Sequence, residues 1–288
     1  MNYIPTDSVL RRHYESDMTR GGRDDAVHRQ HLTGEIFMRL QDINLSFKGV
    51  KAISDISFDI MKGEVCALIG PNGAGKSSML NIINGIYTPQ TGHIILEGVR
   101  HTKMRPRRMA IQGVARTFQN IALFQGMTTL DNIMTGRNLK MKSTFWEQAL
   151  FYGRPRREEI QHRRRVEEII EFLQIQAIRN TPVSKLPYGL QKRVEIGRAL
   201  ASEPRLLLLD EPMAGMNLEE KKDMSCFIME INREFGTTIV LIEHDMGVVM
   251  DISDHVIVMD YGRKICDGPP HEVKNNQEVI EAYLGVEN

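Results

Sequence analysis

The chain has 288 residues, 41% of them hydrophobic and 26% charged, enough apolar material for a substantial core in one or two domains. Its 37 Lys and Arg balance 37 Asp and Glu, so it lacks the basic excess of a nucleic-acid binder, and no nucleic-acid partner is expected. No run of about 18 apolar residues occurs and the N-terminus lacks the basic-then-apolar order of a signal peptide, so a cytoplasmic chain is expected, reaching a membrane only through a partner.

Residues 1–34 are polar, mixed in charge and without apolar periodicity, and are expected to form a disordered leader. Order is expected from Glu35. Ile36, Met38 and Leu40, then Ile43, Leu45 and Phe47, alternate as in a strand. Ile53, Ile56, Phe58 and Ile60 suggest a second strand. Val65 to Ile69 is a short continuous apolar run, the pattern of a strand buried on both faces.

That run leads into Gly70-Pro71-Asn72-Gly73-Ala74-Gly75-Lys76-Ser77, which fits G-x-x-x-x-G-K-[ST]. Glycines let the backbone fold tightly, so that its N–H groups converge on phosphate oxygens. The helix that follows, expected over Lys76–Ile83, adds partial positive charge at its N-terminus. Lys76 is expected to reach the β- and γ-phosphates, Ser77 to ligate Mg²⁺, and Ser78 to contact the α-phosphate.

The stretch from about 120 to 190 is helix-like and reads as an insertion, with Arg154, Arg156, Arg157, Arg163, Arg164 and Arg165 as a solvated face or a contact for acidic groups. Leu206 to Leu209 is a second buried-strand candidate and ends in Asp210-Glu211. Asp210 is expected to hold Mg²⁺ through its water shell, and Glu211 to orient and polarise the attacking water. Thr238 to Ile242 is a third buried strand. Val256–Met259 and Arg263–Cys266 flank Asp260-Tyr261-Gly262 as a hairpin. Apolar strands alternating with helices indicate an α/β core with a parallel sheet. Cys66, Cys226 and Cys266 are far apart, without metal spacing, and are expected as buried or incidental thiols.

Together these motifs resemble the ABC ATPase family over nearly all of residues 35–288. The resemblance implies a P-loop NTPase (RecA-like) core, an antiparallel β subdomain and an inserted α-helical subdomain, using ATP and Mg²⁺. Ala115-Arg116-Thr117-Phe118-Gln119-Asn120 looks like that family's Q-loop, which implies that Gln119 contacts Mg²⁺ or the water. Ile242-Glu243-His244-Asp245 looks like its H-loop, which implies that His244 bonds the γ-phosphate. Phe47 stands where the family stacks an aromatic on adenine.

The family signature Leu-Ser-Gly-Gly-Gln is represented by Leu186-Pro187-Tyr188-Gly189-Leu190. Pro187 offers neither hydroxyl nor N–H. Gly189 and the following helix N-terminus can still supply backbone donors to the ATP of an opposite subunit, and the departure implies a weaker or slower facing site. Asn217 replaces the usual Asp of the D-loop.

Ala115 to Gln119, the Leu-x-Tyr-Gly signature, the long insertion over about 137–165 and the ending from Gly268 to Gly285 resemble the LivG-type ATPase subunits of branched-chain amino-acid importers. The resemblance implies a second ABC ATPase subunit, identical or related, two transmembrane permease subunits and, indirectly, an external substrate-binding protein. It implies a location on the inner face of the cell membrane through permease contacts. Importers of urea, amides or aromatic acids share many of these traits, and a soluble ABC ATPase of the iron–sulfur assembly type is the alternative without a permease.

Overall fold

The computed structural model describes residues 34–141 and 154–284. The expected leader up to residue 33, and residues 142–153 of the expected insertion, lie outside the described residues.

The two opening strands, β1 (Ile36–Phe47) and β2 (Val50–Met61), pair antiparallel, and β4 (Thr91–Leu96) and β5 (Val99–His101) complete a four-stranded sheet in the order β2-β1-β4-β5. The apolar alternation of β1 changes phase between Leu40 and Ile43. The register shifts there, and Asp42 takes φ 53°. The extra residue is a bulge that returns Ile43 and Leu45 to the buried face. Asp55, φ 50°, does the same between Ile53 and Ile56.

The second sheet has six strands in the order β10-β9-β3-β8-β7-β6. Its centre is β3 (Val65–Ile69), β8 (Thr238–Ile242) and β7 (Leu206–Asp210), all three buried along their whole length. All pairings are parallel except that of β9 (His255–Asp260) with β10 (Arg263–Gly268). A parallel sheet covered on both faces needs unbroken apolar strands, and each buried Leu or Ile stabilises the fold by roughly 1.5–3 kcal/mol. One core lies between the two sheets around α1 (Lys76–Ile83). Another packs α6 (Leu218–Phe235) and the helices that follow the short strand β6 (Val114–Arg116) against the opposite face.

Those helices are α3 (Thr129–Thr135), α4 (Arg154–Phe172) and α5 (Tyr188–Leu200), so helix continues ten residues past the expected end near 190. α2 (Pro106–Ile111), β4, β5 and β6 had no clear sequence signal, being short and weakly periodic. Helices α7 (Met246–Ile252), α8 (Pro270–Lys274) and α9 (Gln277–Leu284) close the C-terminal end.

The expected hairpin is β9–β10. Its turn residues Tyr261 and Gly262 have φ 40° and 76°, the left-handed pair of a two-residue turn. The Gly262 N–H donates to Ala74 O at 3.0 Å, and Gly262 O accepts from Ser54 N at 2.7 Å. A Cβ on Gly262 would stand 2.6 Å from Ala52 O. The turn therefore ties the glycine loop to the first sheet.

His255, at the other end of this hairpin, joins three elements. Its Nδ1 faces Glu64 Oε1 at 3.3 Å and its Nε2 faces Asp267 Oδ1 at 2.5 Å, beside buried Cys66. Burial alone would push the imidazolium down; bonds with Asp267, Cys66 and Glu64 outweigh it and carry the ring up to about 12. The folded ring keeps its proton where the unfolded one loses it. Its stabilisation is thus full below the ordinary value of 6.5 and is lost as pH rises toward about 12. Thermal melts from about pH 7 to about pH 9 should show the wild-type midpoint falling more steeply than that of His255→Gln. Parallel curves would show that the ring carries no extra proton.

Candidate active site

Four strands of the second sheet present their carboxyl ends at one edge, and each contributes to a single cluster. This is where open α/β sheets bind ligands.

β3 ends in the glycine loop. Gly75 caps α1 with φ 100°, and a Cβ there would lie 2.6 Å from Ala52 O and 3.0 Å from Ile53 Cδ1. Ala74 is buried and Gly73 exposed. Lys76 is buried, and its Nζ donates to the carbonyls of Gly70 at 2.6 Å and Pro71 at 2.9 Å. The ammonium thus lies across the loop, as an anion held by that loop would require. Burial pushes its pKa down, against the pull of Glu211 and Asp210. Ser77 and Ser78 follow in the first turn of α1, Ser77 exposed and Ser78 half-buried, as is Pro71. Asn72 is exposed.

β7 ends in Asp210, which is 4% exposed, and Glu211, which follows it. Glu211 N donates to Ile242 O at 3.0 Å, locking the ends of β7 and β8 together. Glu211 has φ 49°, a left-handed backbone that costs about 1–2 kcal/mol outside glycine and is typical of functional sites. Its Oε1 meets His244 Nε2 at 2.7 Å, and its Oε2 accepts from Gln119 Nε2 at 3.0 Å. Burial raises this carboxyl, but the bonds from His244 and Gln119 and the charge of Lys76 outweigh it and hold it below its ordinary value. Gln119, three residues past β6, and His244, two past β8, thus converge on Glu211.

The structure also brings in residues that the motif reading passed over. Lys192 of α5, 2% exposed, donates to Phe118 O at 3.2 Å and Gln119 O at 2.9 Å. Buried Glu195, one turn on, accepts from Phe118 N and Ala122 N at 3.4 and 3.3 Å. A Lys and a Glu three apart on a helix read as a surface pair; only the packing of α5 against this loop turns them into its holders. Arg116 NH2 donates to Asp210 Oδ2 at 2.8 Å.

Other expected residues lie apart from the cluster around Glu211. Phe47 is 43% exposed at the end of β1, edge-on to Tyr87 at 5.0 Å. Pro187 caps α5 without a side-chain bond, so the first-turn N–H groups, that of Gly189 included, point out of the helix end. Asn217 accepts from Glu220 N at 3.0 Å, while Glu220 Oε2 accepts from Asn217 N at 3.0 Å. This capping box needs a short polar side chain, and Asn serves it as well as Asp. Of the arginine run, Arg164 is 84% exposed and pairs with Glu168, whereas Arg165 meets Glu168, Glu203 and the ring of Phe235.

A glycine cradle, a buried strand ending in Asp-Glu, and a Gln and His aimed at that Glu define an ABC ATPase. The chain belongs to the ABC transporter family, whose model matches residues 53–214, and it hydrolyses ATP. A second model, described as branched-chain amino acid ATP-binding cassette transporter, matches residues 263–287. Among its relatives is the high-affinity branched-chain amino acid transport ATP-binding protein LivG of Salmonella typhimurium, 37% identical over 249 residues, covering 86% of this chain and 97% of the relative. The corresponding protein BraF of Pseudomonas aeruginosa is 35% identical over 248 residues, covering 86% and 97%. A crystal structure of the ADP conformation of an ABC transporter cassette superposes with TM-score 0.76 at 31% identity, covering 87% of this chain and 99% of that one. A nucleotide-free cassette gives 0.75 at 31% identity, covering 86% and 98%.

Gly75→Ala adds a methyl against backbone oxygen at a left-handed position. It should cost roughly 1–3 kcal/mol of stability and most of the ATP affinity. Thermal melts and a fluorescent ATP-analogue titration check this; wild-type behaviour in both would refute the assigned loop geometry.

Proposed function

We propose that this chain is one of two ATPase subunits that drive a membrane importer of branched-chain amino acids. The observation that carries the substrate class is the match of residues 263–287 to the branched-chain transporter model, joined to relatives of that activity matched over nearly their whole length. Among the described residues no helix is long and apolar enough to cross a membrane; in this reading two permease subunits form the membrane path, fed by an external binding protein. The chain sits on the inner face of the membrane through its permeases.

In hydrolysis the glycine loop from Gly70 to Gly75 wraps the phosphates with backbone N–H groups, while Lys76 and Ser78 hold phosphate oxygens. Phe47 stacks on the adenine. The donors Ser77 and Asp210, with the amide oxygen of Gln119, are hard oxygens, the set Mg²⁺ prefers. These residues would hold Mg²⁺, which would supply neutralisation of the phosphate charge. Glu211, held ionised by His244 and Gln119, orients water for attack on the γ-phosphorus; the bond to the β–γ bridging oxygen breaks, giving ADP and phosphate. His244 supports the γ-phosphate.

A second ATPase subunit lends its α5 N-terminus, through backbone donors such as Gly189 N–H, to close each site. The segment after β6 leaves Phe118, Phe124 and Met127 exposed at 42%, 53% and 41%. This apolar patch suits a permease contact, and it begins one residue from Gln119. The helical unit over about 120–190 is accordingly the part that carries the motion to the permease. ATP drives closure by its higher affinity for the closed pair.

Glu211→Gln should lower ATP turnover by about 10²–10⁴-fold while leaving ATP binding intact; steady-state phosphate release beside a binding titration checks this, and undiminished turnover would remove Glu211 from the mechanism. In the source cells, Lys76→Ala should abolish uptake of labelled leucine, isoleucine and valine through this importer but spare unrelated solutes. Normal uptake of all three, in cells lacking any duplicate importer, would reject the substrate class.

A further inference from the structure

Arg116 is a cation beside the site that the hydrolytic mechanism leaves unused. Its side chain is 8% exposed, and its only carboxylate contact among the described residues is Asp210. NH2 donates to Asp210 Oδ2 at 2.8 Å and NH1 to Asn81 Oδ1 at 2.5 Å, while the guanidinium lies 5.6 Å from the ring centroid of Phe118. Among the described residues Asp210 Oδ1 takes no hydrogen bond.

Three elements meet at this one planar group. Asn81 is on α1, four residues after Ser77, so the two share a helix face one turn apart. Asp210 ends β7, and Arg116 itself ends β6, three residues before Gln119. Of the residues assigned above to Mg²⁺, Asp210 bonds the Arg116 fork directly, Ser77 shares a helix face with its partner Asn81, and Gln119 follows Arg116 by three residues.

A buried ion pair is a poor stabilising device, because desolvation offsets most of its Coulomb energy. What a rigid two-pronged guanidinium does well is fix geometry, which the single ammonium of Lys cannot reproduce. We propose that Arg116 is a positioning residue for the metal-facing carboxylate: by holding Asp210 Oδ2 and Asn81 together it leaves Oδ1 aimed at the hydrated cation and sets the Mg²⁺ requirement for ATP binding. This rests on the reading of Asp210 as the Mg²⁺ residue.

Charge and geometry predict opposite signs. As a positive charge alone, Arg116 weakens cation binding, so Arg116→Met would lower the Mg²⁺ midpoint and Arg116→Lys would leave it unchanged. As a positioning group, its loss misaims Asp210 and both variants raise the midpoint.

The experiment titrates a fluorescent ATP analogue against the full-length protein over a range of free Mg²⁺, with EDTA as the metal-free reference and a thermal melt for each variant. We expect Arg116→Met and Arg116→Lys to raise the Mg²⁺ midpoint about tenfold, as loss of a partner that orients a metal-directed group does. Asn81→Ala should move it in the same direction by less, and should do so even if Arg116→Met fails to fold. Asp210→Asn should raise the midpoint, and adding Arg116→Met to it should raise it no further. A lowered or unchanged midpoint in the Arg116 variants, with Asp210→Asn still effective, overturns the inference and leaves the site reading standing. An Asp210→Asn midpoint equal to wild type overturns both.

Discussion

The parallel pairing of β3, β8 and β7 is the constraint on which the rest of this molecule depends. Leu206 to Asp210 run in register with Thr238 to Ile242, and Val65 to Ala67 with Ile239 to Leu241. Because these three strands pair in parallel, each points the same way and ends at the same edge. The residues just beyond them, Gly70, Glu211 and His244, are therefore neighbours although far apart in the chain. A slip of one strand would bury its polar end or move the residue beyond it by about 3.3 Å per residue.

That edge is where charged groups gather at the ends of apolar strands, and the carboxylates there each have a partner. Arg116 accompanies Asp210; Gln119 and His244 accompany Glu211; Glu243 accepts from Met213 N and His244 N. Burial pushes the Glu243 carboxyl up, against the effect of those bonds. Lys192 and Glu195 extend the same logic into the helical segment, fixing the backbone on which Gln119 rides. A movement of α5 would reach Gln119 through these bonds, and through Gln119 the Glu211 carboxylate.

The first sheet serves the site from outside. It supplies Phe47 at a strand end, and its backbone at Ala52 forms the wall against which Gly75 and Gly262 close. The β9–β10 turn reaches back to Ala74, so the phosphate loop is gripped from both sides. This explains why glycine stands at 75 and 262: both are left-handed, and both face carbonyl oxygen where a side chain would need space.

Much of this was legible in the chain itself. Apolar runs set the three central strands, since only a strand covered on both faces takes five buried residues without a polar break. The glycine spacing and Asp210-Glu211 stood out because such groups suit phosphate and metal chemistry, whereas Gln119 and His244 stood out only through the resemblance to the family. What the sequence could not express was side-chain partnership across the fold. Arg116, Asn81, Lys192 and Glu195 are ordinary polar residues in a one-dimensional reading, and the short strands β4 to β6 carry too few residues to show a period. Asp42 and Asp55 break the two-residue alternation, and only the strand pairing identifies them as bulges. The sequence by itself determined which segments are buried and where the backbone turns tightly, because hydrophobicity and backbone freedom are local properties. Only the tertiary structure decided which carboxylate each cation serves, because burial and distance are properties of pairs that the fold brings together.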